Sequence, residues 1–448
     1  MPLRVGLLGL GVVGSGLVQL LRCNREEVAR RLGAPIEIRR VLVRSLDKPR
    51  PVPVPRELLT TDPGRVLQDP EIDVIVEVMG GVEPARELIL AALAQGRPVV
   101  TANKEVLARH GPELFRAAAA HGAGLYFEAS VAAGIPVIRS LVQGLAANKV
   151  RTLMGIINGT TNYILTRMIE EGAEFAVALE QAQRAGYAEA DPTSDVDGWD
   201  AAYKLAILSS LAFETYVPVE SVYVEGIRRV TPVDLAYGTE LGFTVKLLAI
   251  AKNVNGAIEA RVHPTMVPLH HPLAAVRDVF NAVYLNGNAS GELMLYGRGA
   301  GSLPTASAVA SDLMEAADDL RRGQTPLLIR RRPGEWARKE VLPITETRTR
   351  FYLRFLVHDQ PGVLAAIAAA FGKTGVSIES VIQKGRGRSP VDLVFVTHEA
   401  KEANVREALR EIGQLPVVHQ VASVIRVEDG SSQEEMGPAG STEEARCE

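Results

Sequence analysis

The sequence predicts an α/β protein in three parts: an open parallel sheet wound with helices, an α+β region, and a small terminal module with two helices on a four-stranded sheet. Three observations carry this. Through the first third, short and nearly continuous apolar runs alternate with helical stretches, as expected of strands covered on both faces. From about 150 to 320 that alternation gives way to helices and one turn-rich acidic loop. Beyond 349 the pattern becomes strand, helix, strand, strand, helix, strand in ferredoxin-like order.

In chain order, strands are expected at 3–9, 36–43, 73–78, 98–101 and 125–128, with one helix over 13–32 as the first crossover. A strand at 150–157 leads to helices near 160–170 and 174–185, a Gly/Asp-rich loop at 186–198, and an apolar helix at 199–213. Residues 321–349, rich in Arg and Pro, are expected to form an edge strand plus a linker. The terminal module follows as strand 350–357, helix 363–372, strands 376–383 and 391–397, helix 402–412 and strand 418–427. The Ser/Glu/Gly-rich stretch 429–448 has no periodicity and is expected to be disordered. A length of 448 residues fits roughly three domains at about 150 residues each.

Composition removes several classes of function. The charge is 53 acidic against 49 basic residues, or −4, with 47% hydrophobic and 23% charged residues, an ordinary globular balance without the basic excess of a nucleic-acid protein. The Arg cluster at 330–332 has no aromatic stacking platform beside it, so it is not read as a nucleic-acid patch. Two cysteines, Cys23 and Cys447, provide neither a disulfide framework nor a thiolate metal cluster, and a cytoplasmic location is expected. Cys23 is expected to be buried in the first helix. No apolar run reaches about 18 residues, and the chain runs directly into Leu3 without a signal-peptide pattern, so neither membrane insertion nor secretion is expected.

Gly9-Leu10-Gly11-Val12-Val13-Gly14 follows a strand and opens a helix, the setting that the G-x-G-x-x-G fingerprint of a Rossmann-type dinucleotide-binding domain requires. Gly9 permits the tight turn, Gly11 the approach of the pyrophosphate, and Gly14 close helix-strand packing, while Val12 and Val13 begin the helix whose N-terminus receives the diphosphate. The second strand ends in Arg44-Ser45-Leu46-Asp47-Lys48-Pro49-Arg50. Three cations around one acid suit the 2′-phosphate of NADP better than a bare diol, with Arg44 and Lys48 as candidates; Asp47 leaves NAD open, and a solvated basic turn is the bland alternative.

Chemistry is expected in the loop and helix 186–204. Glu189, Asp191, Asp195, Asp197 and Asp200 crowd a turn-rich segment, and acids before a helix have a bland explanation in the helix dipole. Asp200 and Lys204 go beyond it: they lie four apart on one helix face, and residues 205–213 carry no charge. A buried lysine loses basicity by desolvation and regains some from the nearby carboxylate, which suits it to move a proton between an alcohol and a carbonyl. A surface ion pair is the alternative. Thr101, Asn103 and Lys104 end the strand at 98–104, where an open α/β sheet presents its ligand crevice.

Taken with Glu-Ala-Ser-Val-Ala-Ala-Gly-Ile-Pro at 128–136, Asn-Gly-Thr-Thr-Asn-Tyr-Ile at 158–164 and Gly-Ala-Gly-Ser-Leu-Pro-Thr at 299–305, these motifs resemble the homoserine dehydrogenase family over residues 3–320. The module opening on Asp359-Gln360-Pro361-Gly362-Val363 resembles an ACT domain. The resemblance implies domains at 1–135 (nucleotide-binding, completed by about 300–320), 136–320 (catalysis and dimerisation) and 350–428 (regulation). It implies NAD(P)-dependent interconversion of L-homoserine and L-aspartate 4-semialdehyde, with Lys204 as proton carrier and Lys104 beside the reacting carbon. Glu189 and Asp200 would bind the substrate, and Gly186 and Gly301 would join the cofactor site. A sodium ion or another monovalent cation would sit on Glu128 and the carbonyls of Val131, Ala133 and Ile135. Threonine would act at Asp359, Pro361, Gly362 and Val363, in a homodimer or homotetramer. Ser194 stands where some members carry an acid. With a first strand at Leu3, the likeness is to members without a fused aspartate kinase.

Other functions fit less well. A phosphorylating aldehyde dehydrogenase needs an activated cysteine for its thioester, and neither cysteine is placed for one. In a hydroxyacid dehydrogenase with an ACT tail, the glycine fingerprint follows a catalytic half, whereas here it starts at Gly9. A non-catalytic amino-acid sensor would not need Lys104, Glu189, Asp200 and Lys204 together. His263, His270 and His271 lack a suitably spaced acid or cysteine and are read as strand and turn residues.

Overall fold

A computed structural model describes residues 2–384 and 390–428, so the 429–448 segment and Cys447 lie outside the described residues. The described residues form two compact units, one of residues 2–237, 246–264 and 276–347, the other of residues 238–245, 265–275, 348–384 and 390–428.

In the first unit, β1 (Leu3–Leu8), β2 (Ile36–Leu42), β3 (Leu59–Thr60), β4 (Val74–Glu77), β5 (Val99–Thr101) and β6 (Leu125–Tyr126) make a parallel sheet in the order β3-β2-β1-β4-β5-β6. The order reverses between β1 and β4, and the crevice at their carboxyl ends is where such sheets take ligands. Val5, Leu7, Val74, Val76 and Val100 are fully buried, which explains their uninterrupted apolar runs. One face is completed from far along the chain. The helix Ser302–Arg322 contributes Ala306, Val309, Leu313 and Ala317 to the core that Leu17 and Leu21 of the helix Val12–Cys23 enter from their side.

The expected helix over 13–32 is two helices, Val12–Cys23 and Arg25–Leu32, separated by Asn24 at φ −105 and ψ 20. Asparagine competes with helical hydrogen bonding, and the break lets Val28 and Leu32 bury along a new axis. Cys23 therefore falls on an exposed helix end rather than in the core.

A second sheet holds β7 (Val150–Ile156), β8 (Tyr223–Val224), β9 (Phe243–Val254), β10 (Ala257–Pro268), β11 (Phe280–Gly287) and β12 (Gly291–Arg298), with β12-β11-β7-β9-β10 in order and β8 beside β10. Apart from β7 and the strand position read for His263, which falls in β10, these strands were not expected. Asn255 and Gly256, at φ 52 and 91, make the two-residue turn between β9 and β10, the conformation a tight hairpin requires. The helices Gly159–Glu171, Phe175–Arg184 and Trp199–Phe213 follow β7.

Residues 321–349 are not an edge strand and linker. They continue a helix to Arg322 and then form short helical turns at Leu327–Arg330, Pro333–Glu335 and Ile344–Glu346, with one isolated bridge from Val341 to Ile258. Leu328 and Ile329 are buried, and Thr215 Oγ1 donates to the Ala337 carbonyl at 3.0 Å and accepts from the Lys339 N–H at 3.0 Å. The apolar residues among the arginines fasten this stretch to its own unit.

In the second unit, β13 (Arg348–Val357), β14 (Ile378–Lys384), β15 (Val391–Thr397) and β17 (Val418–Val427) form an antiparallel sheet, β17-β13-β15-β14, with the short β16 (Ala400–Lys401) beside β13. The helices Val363–Lys373 and Glu402–Ile412 pack on it around Phe351, Phe355, Phe371 and Phe395. Among the described residues, no helix is long and apolar enough to cross a membrane.

Candidate active site

The glycine turn is shaped by contacts that no side chain would fit. Gly9 has φ +104, and a Cβ there would lie 2.9 Å from the Val78 carbonyl oxygen. A Cβ on Gly14 would lie 2.3 Å from the Gly9 oxygen, whereas Gly11 faces open space. The exposed Val12 and the half-buried Val13 start the helix, whose cap Gly11 makes no side-chain hydrogen bond, so the N–H groups of its first turn face outward. Gly301, at φ +119, arrives next to this turn: Ser302 Oγ donates to the Val12 carbonyl at 2.9 Å and would meet a Cβ on Gly16 at 2.4 Å. The turn is thus an open cradle of backbone N–H groups, a geometry that suits a diphosphate.

At the end of β2, Arg44 and Lys48 are exposed. The third expected cation, Arg50, turns back on its own loop and donates to the carbonyls of Ser45 (2.5 Å), Leu46 (3.2 Å) and Lys48 (2.9 Å), while Arg56 pairs with Asp47 at 3.1 Å. That leaves Arg44 and Lys48 as the cations available to a ligand.

Glu77, fully buried at the end of β4, organises the neighbouring strand end. Its carboxylate accepts from the Met79 N–H at 2.8 Å and from the Thr101 hydroxyl at 2.6 Å, and Thr101 Oγ1 accepts from the Asn103 N–H at 3.0 Å. Burial raises the Glu77 pKa against these hydrogen bonds. Asn103 donates to the Gly81 carbonyl at 2.7 Å and caps the next helix by accepting from the Val106 N–H. The side chains of Thr101 and Asn103 therefore build the rim of the crevice. Lys104 does not end the strand: it is the first residue of the helix Lys104–Ala120, because the Asn103 cap starts that helix directly after β5.

Lys104 and the Lys204 helix meet on one carboxylate. Lys104 Nζ lies 2.8 Å from Asp200 Oδ1, and Lys204 Nζ lies 2.6 Å from Asp200 Oδ2 and donates to the Ile157 carbonyl at 2.8 Å. Asp200 and Lys204 are 5% and 8% exposed, while the Lys104 side chain keeps 39% of its surface open. Burial lowers the Lys204 pKa, Asp200 pulls it back up, and the nearby Lys104 charge lowers it further. Burial also pushes the Asp200 carboxyl up, but the two ammonium groups outweigh it and hold the carboxyl below its ordinary range. Asp200 raises the Lys104 pKa against its partial burial. The Asp195 pKa is raised by burial and by the Asp200 charge. The site therefore holds one buried amine of lowered basicity and one more open amine that stays charged.

The other expected residues are less tightly tied in. Glu189 is exposed, with its carbonyl bonded to Gln183 Nε2 at 3.1 Å, and Ser194 is exposed on the short helix Thr193–Val196. Gly186, at φ +75, turns the chain out of the helix Phe175–Arg184. At the expected cation site, the Glu128 carboxylate accepts the N–H groups of Ile138 and Arg139 at 2.9 Å each, and Asp312 bonds the Glu128 N–H (2.9 Å) and Arg139 Nη2 (2.8 Å). Ala132 and Ala133 take left-handed φ values of 53 and 34, a turn that only strong local bonding sustains in non-glycine residues. Among the described residues no backbone N–H donates to the buried Val131 and Ala133 carbonyls, while the Ile135 carbonyl accepts from Val137 at 2.8 Å. Buried oxygen acceptors without a donor suit a hard cation. His263 does not offer a metal ligand: its Nδ1 lies 3.0 Å from the Pro264 carbonyl and so donates, leaving Nε2 to accept from Arg261 Nη1 at 3.1 Å. In the second unit, Asp359, Pro361 and Gly362 lie on an exposed turn, with Gly362 at φ +91 ahead of the buried Val363.

Sequence reasoning did not single out Asn158, whose amide reaches both Asp195 and Asp200, or Glu77 and Asp312. The asparagine at the strand-helix junction 157–159 was the available signal for Asn158, since that is where a cap is expected.

Comparison with known proteins follows this geometry. Residues 136–314 match the family model for homoserine dehydrogenase, residues 9–128 its NAD-binding domain, and residues 351–417 an ACT domain. The chain is 49% identical over 436 residues, 95% of its length and 100% of the relative's, to a homoserine dehydrogenase of Synechocystis. The chain belongs to the homoserine dehydrogenase family. Members are NAD(P)-dependent oxidoreductases acting on a CH–OH group, and the Gly9–Gly14 turn lies within the residues that match the NAD-binding domain. A homoserine dehydrogenase structure from Thiobacillus denitrificans superimposes with a TM-score of 0.90 at 45% identity, covering 96% of this chain and 99% of that one. A hyperthermophilic archaeal homoserine dehydrogenase in complex with NADPH matches at TM-score 0.60 and 29% identity, over 70% of this chain and 98% of that one.

Replacing Asp200 by Asn leaves two ammonium groups facing a neutral amide. Loss of one partner from a buried pair costs about 3–5 kcal/mol, so denaturant melts at neutral pH are expected to show destabilisation near the lower end of that range. The lowered Lys204 pKa fixes the pH dependence. Asp200 raises the Lys204 pKa in the parent, so its loss lowers that pKa further; between the variant's folded value and the parent's, the variant has released the proton that the parent still holds, and its deficit narrows as pH rises through that window. A deficit that stays constant with pH would contradict this assignment.

Proposed function

We propose that this homoserine dehydrogenase interconverts L-homoserine and L-aspartate 4-semialdehyde with NADP in preference to NAD, and that Lys204 carries the proton. The observation behind this is the Asp200 carboxylate shared by Lys104 and Lys204. In the oxidative direction, neutral Lys204 accepts the hydroxyl proton at Nζ as the C–H bond of the same carbon releases its hydride and the carbonyl forms. The bound nicotinamide ring supplies the hydride acceptor. In reduction, protonated Lys204 returns its proton to the new alkoxide oxygen. Lys104, charged and partly open, faces the reacting group and favours the negative charge that develops on that oxygen. Both Asp200 oxygens are engaged by lysines, so Asp200 orients the amines, and the exposed Glu189 is assigned to the substrate ammonium group.

Replacing Lys204 by Ala should lower kcat by about 100-fold to 10,000-fold, the usual contribution of a positioned acid-base group, while NADPH still binds with near-normal affinity in a fluorescence titration. Near-normal turnover would remove Lys204 from the mechanism.

The cofactor preference rests on exposed Arg44 and Lys48, the cation on the free Val131 and Ala133 carbonyls, with Glu128 and Ile135 framing that turn. A bound sodium ion would neutralise the buried dipoles there. Threonine is assigned to the Asp359–Val363 turn of the ACT domain, and family membership favours a cytoplasmic homodimer or homotetramer. Initial rates with NADP and NAD side by side, with and without threonine, and in sodium or choline chloride, test these assignments together. The expected pattern is faster turnover with NADP, inhibition by threonine and stimulation by sodium, with Arg44→Ala lowering NADP use and sparing NAD. Equal loss with both cofactors in that variant would contradict the phosphate assignment.

A further inference from the structure

Asn158 stands at the junction between β7 and the helix Gly159–Glu171, with extended backbone (φ −129, ψ 112) and 5% of its surface exposed. Its Oδ1 caps the helix by accepting from the Thr161 N–H at 2.8 Å and from the Thr161 hydroxyl at 2.9 Å. That bonding fixes which end of the amide is oxygen, since the opposite orientation would set a carbonyl against two carboxylates. The Nδ2 group then donates to Asp195 Oδ1 at 2.7 Å and to Asp200 Oδ2 at 2.8 Å. The second of these oxygens also receives Lys204 Nζ at 2.6 Å, and the preceding residue, Ile157, offers its carbonyl to the same amine.

Two carboxylates side by side repel, and the donors between them decide how they lie. We propose that Asn158 is a positioning residue for proton transfer: its amide ties Asp195 to Asp200 and holds the Asp200 carboxylate in the one orientation that serves Lys204 and Lys104 together. The proposal rests on the assignment of Lys204 as proton carrier. The charged groups around Lys204 are Asp200 on its own helix, Lys104 on the helix Lys104–Ala120 and Asp195 on the short helix Thr193–Val196. From the β7 side the amine meets the neutral Ile157 carbonyl, and Asn158 is the neutral group that reaches both acids. Withdrawing its two N–H donors makes Asp200 Oδ2 a stronger acceptor, so the carboxylate holds the Lys204 proton more tightly and the amine becomes harder to deprotonate.

Capping and bridging are separable. Asn158→Ser keeps a good N-cap acceptor but has no second donor arm, and Asn158→Asp keeps the cap while facing the acids with a third carboxylate. The experiment is the pH dependence of kcat for homoserine oxidation in the full-length enzyme, with thermal midpoints recorded for each variant. The expected result is a rate that climbs with pH as Lys204 deprotonates, with the midpoint of that rise moved up by about half a unit in Asn158→Ser and about one unit in Asn158→Asp, where one unit corresponds to about 1.4 kcal/mol. Thermal midpoints within a few degrees of the unaltered enzyme are expected because the cap is retained. If the unaltered enzyme shows the rise and neither variant moves it, whether or not the rates fall uniformly, Asn158 is only a cap and the proposal is overturned. If the unaltered enzyme shows no such rise, the assignment of Lys204 fails first and the proposal falls with it.

Discussion

The candidate active site depends on one buried carboxylate that must be shared. Asp200 is almost inaccessible to water, and an unpaired charge at that depth is expensive enough that the surrounding structure must supply counter-charge. Lys204 supplies it from one turn along the same helix, and Lys104 supplies it from the first residue of another. The end of β7, the helix Trp199–Phe213 and the helix Lys104–Ala120 are thereby held to a common point. Arg109 Nη2 adds a second tie between the two helices through the Tyr203 hydroxyl at 2.7 Å. The same pairing divides the labour of the amines: one is buried and less basic, the other open and charged.

The cofactor side is set by close approach rather than by charge. Gly9, Gly14 and Gly16 allow backbone contacts that any Cβ would prevent, and Gly16 is where the late helix Ser302–Arg322 seats Ser302. The nucleotide-binding sheet is thus finished by residues that follow the helices Lys104–Ala120 and Trp199–Phe213 in sequence. Glu77, Thr101 and Asn103 then couple the rim of that sheet to the helix start that aims Lys104. Placement of Lys104 is in this sense a property of the carboxyl end of the sheet.

Legibility in the sequence followed the physics of burial. The inner parallel strands β1, β4 and β5 were readable because both their faces are apolar, and the terminal module because its strands and helices alternate cleanly, whereas the two-residue β3 was too short to read. Strand β10 was not readable, although Glu259, Arg261 and His263 alternate with Ile258, Ala260 and Val262, because both sets are buried and Arg261 bonds Glu259 and His263 instead of water. The Asn255-Gly256 turn was the signal that went unused there. Arginines in 321–349 concealed Leu328, Ile329 and Trp336, the residues that fasten that stretch, and one asparagine moved Cys23 from an expected core position to a helix end. In the site, Asp200 and Lys204 were legible because four-residue spacing is local. The Lys104 contact and the Asn158 bridge join residues 42 or more positions from Asp200, and such pairings leave no local trace. Carbonyl acceptors such as those of Val131 and Ala133 have no side-chain signature at all.

The central claim is that burial beside a shared carboxylate makes Lys204 a weaker base than an ordinary lysine. The most direct measurement is the titration of the Lys204 side chain itself, followed by NMR of isotopically labelled lysine and assigned with a Lys204→Ala comparison. The account predicts a midpoint clearly below the value near 10.4 of a free lysine, and a separate, higher midpoint for Lys104. A Lys204 midpoint at or above that of a free lysine would contradict it.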